Sequence, residues 1–205
     1  MTDTELAAYI VSLEERVNRL KTLEDQPQTA AGAWTFIIET ELAVASSFVI
    51  FGSIPQTYDD LMLLWLARSS TAGVPNRDRI IAQFNGDTTA GNYDTIDTSQ
   101  NASSNCDKDS GYVVVSHVAS AASTGDANSF SAGLWYIPEY TSTAYKKTTE
   151  GWGSCPDLIS TFGLNSMCNG CWSKTPEAIT TFKLYLARGG NFLADSRFEL
   201  YGLTR

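Results

Sequence analysis

From Trp34 onward, apolar residues recur with a period of two in short runs broken by turn residues, which is the pattern of β-strands half buried against a core. Strands are expected at about 34–39, 44–51, 60–68, 78–85, 111–118, 129–137, 143–149, 171–174, 178–187 and 195–202. The last two read as a closing β-hairpin. Phe182, Leu184 and Leu186 share one face, Lys183 and Tyr185 the other, and Arg188-Gly189-Gly190-Asn191 supplies a reversal before Phe198, Leu200 and Tyr201. Leu61-Met62-Leu63-Leu64-Trp65-Leu66 is apolar on both faces, as in a central strand or in one whose outer face meets a neighbouring subunit.

The first residues follow another period. Thr2-x-x-Glu5 forms a possible capping box, and Leu6, Ile10, Leu13, Val17 and Leu20 recur at spacings of four and three, which predicts a short heptad helix over 1–26. With Ile10, Val17 and Glu24 at a and Leu6, Leu13 and Leu20 at d, the side-chain types favour two strands in a parallel coiled coil. An amphipathic helix packed on its own domain would show the same stripe. Residues 27–33 have no apolar period and contain Pro27 and Gly32, so they read as a linker. The expected fold is therefore mainly β: an antiparallel β-sandwich, jelly-roll-like, over 34–205, preceded by a short N-terminal coiled-coil α-helix.

Between the strands expected at 78–85 and 111–118 lies the polar insert 85–111, rich in Asp, Asn, Ser and Thr. It reads as a recognition loop on a rigid scaffold, with Asp87, Tyr93, Asp94, Asp107 and Asp109 as candidate receptor contacts. Asn105-x-Asp107-x-Asp109 places oxygen-bearing side chains alternately, but the glycine comes only at Gly111 and no glutamate stands at the twelfth position, so a turn-rich loop is expected there and no metal site.

Four cysteines permit three pairings. Cys168-Asn169-Gly170-Cys171 suits a two-residue hairpin turn that would bring Cys168 and Cys171 together, leaving Cys106 with Cys155. Free thiols, or one knuckle of a zinc site, are the alternatives; a second knuckle is missing from the sequence.

Charge narrows the function classes. The chain of 205 residues is 43% apolar, enough for one substantial core, and carries 14 Lys plus Arg against 23 Asp plus Glu for a net charge of −9. That balance repels a phosphate backbone, so nucleic acid is not an expected partner. No basic n-region precedes an apolar run near Met1, which argues against a secretory leader, and no window is apolar enough to insert in a membrane. The one histidine, His117, sits in an alternating apolar run, no Gly-x-Ser-x-Gly elbow accompanies it, and no repeat suggests a β-helical glycan hydrolase; neither catalysis nor a cofactor is expected.

Four segments carry a resemblance. Phe51-Gly-Ser-Ile-Pro-Gln-Thr-Tyr58 leads into Leu61–Arg68; Ile80–Phe84 runs into Asn85-Gly86-Asp87 with Tyr93; Ile137-Pro-Glu-Tyr140 precedes Lys146-Lys147; and the closing strand ends in Ser196-x-Phe198-x-Leu200-Tyr201-Gly202-Leu203. In this order, across 34–205, they resemble a β-sandwich module of tail-fibre and other structural proteins of tailed bacteriophages. The resemblance implies a virion protein, released by host lysis, and transfers no catalytic residue. It also implies three chains about one axis, with attached globular domains setting the symmetry of a helix that is marginal alone. The expected function is a short homotrimeric tail fibre, held to tail or baseplate by the helix and presenting the β domain to a host-surface glycan or protein. A capsid decoration or head-fibre protein is the alternative. A carbohydrate-binding module is a third reading, suggested by Trp135, Tyr136, Tyr140, Trp152 and Trp172, although such aromatics more commonly fill a core or an interface.

Overall fold

The computed structural model describes residues 32–71, 77–99, 105–108, 110–120, 129–155, 164–174 and 176–205. Its regular elements are twelve strands: β1 (Trp34–Glu41), β2 (Phe48–Phe51), β3 (Asp60–Ser69), β4 (Arg77–Phe84), β5 (Tyr93–Ser99), β6 (Asn105–Lys108), β7 (Val113–Ser120), β8 (Ser131–Ile137), β9 (Lys147–Cys155), β10 (Leu164–Trp172), β11 (Phe182–Leu186) and β12 (Arg197–Leu203). Among the described residues there is no helix.

The mainly β character stands, and the finer expectation is corrected. The strands do not form a separate pair of antiparallel sheets behind a coiled-coil helix; they join into one hydrogen-bonded twelve-stranded sheet. The heptad positions Leu6, Ile10, Leu13, Val17 and Leu20 lie outside the described residues, as do 27–31 of the expected linker. One arm of the sheet runs β1-β12-β3-β8-β9-β10-β5-β6 and the other β2-β11-β4-β7. They meet where β3 and β7 pair in parallel for two residues, Arg68 with Ala119 and Ser69 with Ser120. Every other strand pairing is antiparallel.

The expected hairpin of 178–202 is not formed either. β11 lies between β2 and β4, whereas β12 lies between β1 and β3. Residues 187–196 cross from one arm to the other. Phe192, fully buried, anchors the crossing against Phe198, and backbone bonds tie Leu193 N to Arg68 O and Asp195 N to Leu42 O.

β7 is buried at every position because both of its faces are covered. Val113, Val115 and Val118 enter the main core with Leu61, Leu63, Trp65, Phe84, Trp135 and Phe182, while Val114 packs with Ile81 and Cys168. Glycines let the backbones approach. A methyl group on Gly151 would overlap the Val115 carbonyl, and one on Gly170 would lie 2.6 Å from Val113 Cγ1. Gly153 faces the hydroxyl of Ser116, which exchanges a hydrogen bond of 2.9 Å with Ser166.

Hydrogen bonds fix the loops at one end of the domain. Tyr140 donates its hydroxyl to Pro55 O, Gln56 Nε2 bonds Ile179 O at 3.0 Å, and Tyr93 accepts Phe84 N–H while donating to Asp87 O, both at 3.0 Å. Arg205 makes a bidentate contact with the fully buried carboxylate of Asp60, which also accepts from the Tyr136 hydroxyl. At the opposite end β3, β5, β7, β9 and β11 finish and β4, β6, β8, β10 and β12 begin.

Candidate functional site

The residues expected to form a receptor loop are mostly structural. Segment 85–111 contains β5 and β6, so it is not a single loop. Tyr93 is buried and stacks on Trp172, and the Asp87 carboxylate accepts from Trp172 Nε1 at 2.8 Å, Asn92 Nδ2 at 2.9 Å and Thr89 N at 3.0 Å. Burial alone would push the Asp87 pKa up, but these donors outweigh it and hold the group at about 2. Asp94 pairs in register with Cys171 on β10 and Lys108 on β6. Asp107 is consumed by Arg79, and Asp109 lies outside the described residues.

The cysteine expectations are corrected as well. Asn169-Gly170 is the middle of β10, not a turn: both residues pair with β9 and with β5, and Gly170 is the inward residue under Val113. Cys168, Cys171 and Cys106 carry free thiols, so neither Cys168–Cys171 nor Cys106–Cys155 is joined. Three residues apart on one strand, Cys168 and Cys171 project to opposite faces. Among the described residues no group of three or more His, Cys, Asp and Glu is placed to hold a metal, and no helix is long and apolar enough to cross a membrane.

Of the aromatics considered for sugar stacking, Trp135, Tyr140 and Trp172 are core residues. Tyr136 is half buried, whereas Trp152 is exposed on the outer face of the long arm. It belongs to a row that the strand register lays straight across that face: Glu199, Leu64, Leu134, Trp152, Met167 and Thr98, one residue each from β12, β3, β8, β9, β10 and β5. Beside it run Phe36, Tyr201, Met62 and Tyr136, again in register. Phe36 is 53% exposed, Met167 49% and Trp152 38%. Two shallow hollows of about 350 Å³ each flank Leu64 on the same surface. The outward half of Leu61–Leu66 is thus part of an uncovered apolar surface, not a second core.

A different environment lies where β4, β7 and the end of β11 adjoin the β5–β6 hairpin. Arg77 and Arg79 share one face of β4, and Arg188 stands two residues beyond the end of β11, after Ala187, whose N–H bonds Arg79 O at 3.0 Å. With Asp78, Tyr112, His117 and Ala187 these arginines line a pocket of about 380 Å³. Arg79 grips Asp97 through Nε (3.1 Å) and Nη2 (3.2 Å) and Asp107 through Nη1 (2.6 Å). Asp97 Oδ2 also lies 3.2 Å from His117 Nε2. Burial would raise the Asp97 pKa, but the His117 hydrogen bond and the charge of Arg79 hold it below the ordinary carboxylate range. Burial would lower the Arg79 pKa, and Asp97 and Asp107 together push it up instead. The guanidinium, the imidazole and two carboxylates thus form one fixed array under the pocket floor.

His117 Nδ1, on the other side of the ring, is sealed from solvent and has no hydrogen-bond partner among the described residues. No protein-family model matches the chain, and no curated protein matches it either.

Proposed function

We propose that this chain is a structural protein of a tailed-bacteriophage virion, a short homotrimeric tail fibre whose β domain associates through the outer face of its long sheet arm and makes contact with the host surface. The observation that carries the reading is the apolar register row Leu64, Leu134, Trp152 and Met167 on the outside of a chain with net charge −9. Contiguous apolar surface rimmed by charges, here Arg197, Glu199 and Glu150, marks a protein interface. Around a three-fold axis one part of this face meets a different part of the same face on the next copy, and closed cyclic symmetry buries it without leaving a free one.

Light scattering on the purified chain tests the association: three times the 22.3 kDa chain mass is expected. Trp152→Glu, at an exposed position where folding does not require the indole, is expected to yield the single-chain mass with an unchanged circular dichroism spectrum. A monomeric parent, or a trimeric Trp152→Glu variant, refutes this interface. Gold-labelled antibody on intact particles then tests location, with label at the tail expected and label over the capsid pointing to a decoration protein.

A further inference from the structure

We infer that the pocket between β4, β7 and the end of β11 is an oxyanion-binding site, built to hold a carboxylate or phosphate group carried on a small ligand such as an acidic sugar. The inference goes beyond the virion reading and does not depend on it. Three of the chain's 14 Lys and Arg residues converge on this one pocket of about 380 Å³, although Arg77 and Arg79 are separated from Arg188 by about half of the sequence.

The acidic groups nearby are already engaged. Asp97 and Asp107 are taken up by Arg79 and His117. Asp78, 1% exposed, accepts from Thr71 Oγ1 at 2.6 Å, Ser69 Oγ at 3.3 Å, Arg79 N at 2.8 Å and Arg188 N at 3.3 Å. Its Oδ1 therefore ties together the two backbone segments that bear Arg79 and Arg188. This buried carboxylate is a positioning residue: it fixes the spacing of the two guanidinium groups without standing in the ligand's place. Among the described residues neither Arg77 nor Arg188 has a carboxylate within ion-pair distance, so both rim guanidinium groups keep donors for an added anion, although the Asp78 charge beneath them offsets part of their field.

Arg79 supplies the rigid component. Three of its five N–H donors are held by Asp97 and Asp107, which leaves two donors on a guanidinium whose plane is already fixed. A pre-oriented guanidinium loses little freedom when it binds, and its two remaining N–H groups, one on Nη1 and one on Nη2, can each donate to an oxygen of a carboxylate or phosphate. Arg77 and Arg188 then add charge-assisted bonds from either side. The remaining wall, Tyr112 and Ala187, offers an aromatic ring and a methyl group for the carbon skeleton that carries the anion.

Isothermal titration calorimetry on the full chain at constant low ionic strength tests this, with sodium glucuronate, inorganic phosphate and neutral glucose as probes. Saturable binding of glucuronate, phosphate or both, and none of glucose, is expected. The first assigns a carboxylate source, the second a phosphate source. Arg77→Gln and Arg188→Gln are each expected to weaken binding about tenfold, the size of losing one charged hydrogen bond, while leaving the melting temperature in place. The Trp152→Glu variant, altered on the other surface, keeps the parent affinity. Heats that do not saturate with either anion, or affinities unchanged in the Arg77→Gln/Arg188→Gln double variant, overturn the proposal.

Discussion

Replacing Gly151 by alanine perturbs a close approach of β9 to the β7 backbone in the core. The added methyl would sit inside the van der Waals envelope of the Val115 carbonyl oxygen, and an ordinary carbon–oxygen contact needs about 3.3 Å or more. β7 or β9 must therefore shift by an amount on the order of an ångström. Neither strand yields easily. β7 is hydrogen-bonded to β4 along its length and buried on both faces, and β9 is held between β8 and β10. The obstacle is backbone, so no rotamer change relieves it. The cost belongs at the upper end of overpacking, about 3 kcal/mol. For a chain of this size that corresponds to a fall in melting temperature of roughly 6–12 °C. Gly52→Ala is the matched control: its methyl would meet only Thr181 Oγ1, at 4.0 Å, and less than about 2 °C is expected. Differential scanning calorimetry of the two variants decides it. A Gly151→Ala protein melting within 2 °C of the parent would mean that β7 and β9 are not packed as described.

The depressed pKa of Asp87 makes a signed prediction. Its folded value of about 2 lies below the ordinary 3.8, so its stabilisation is fully present above pH 3.8 and is lost as pH falls from about 4 to about 2. Urea unfolding should place Asp87→Asn about 1–2 kcal/mol below the parent at pH 7, a figure reduced for solvent screening at the domain margin, and the two curves should merge near pH 2; curves that stay apart there contradict the assignment. Thiol accessibility should separate two cysteines. Exposed Cys106 is expected to react at once with a disulfide reagent at pH 8, whereas Cys168, whose burial beside Asp97 pushes its pKa up to about 12, reacts only on unfolding; rapid native labelling lost in Cys168→Ser would refute its placement.

Alternation read directly from the residues locates β3, β4, β7, β8 and β11, because each turns a large apolar set toward the core. β5, and all of β10 but its end at Cys171 and Trp172, escaped that reading for one reason. Their inward residues are Tyr93, Thr95 and Asp97, and Ser166, Cys168 and Gly170, polar or small side chains that fit beneath β7. Thr95 Oγ1 accepts Val114 N–H at 3.1 Å, and Asp97 meets Arg79 and His117, so polarity there reflects a satisfied interior and not a loop. The Asn169-Gly170 pair looked like a turn for the same reason. Of the arginine pocket, the sequence carried only the alternation of Arg77 and Arg79. Arg188 joins them through the order of β7, β4 and β11, which no local pattern encodes. The apolar outer row was half visible, in Leu61–Leu66, but its partners Leu134, Trp152 and Met167 come from three other strands.

The placement of β12 bears on how the protein is made. β1 has β12 as its sole sheet partner among the described strands, and β12 also fills the side of β3 away from β8. On the ribosome, β1 and that side of β3 emerge early and must wait, through residues 42–196 for β1 and 70–196 for β3, for their partner to clear the exit tunnel. The sheet cannot close while Arg197–Leu203 is still enclosed. Until then the nascent chain displays a long, apolar, unpaired strand edge, the kind of surface on which two polypeptides from neighbouring ribosomes pair wrongly. Yield of folded chain therefore depends on holding early strands apart until β12 arrives, a demand placed on chaperones and translation speed more than on the stability of the finished domain.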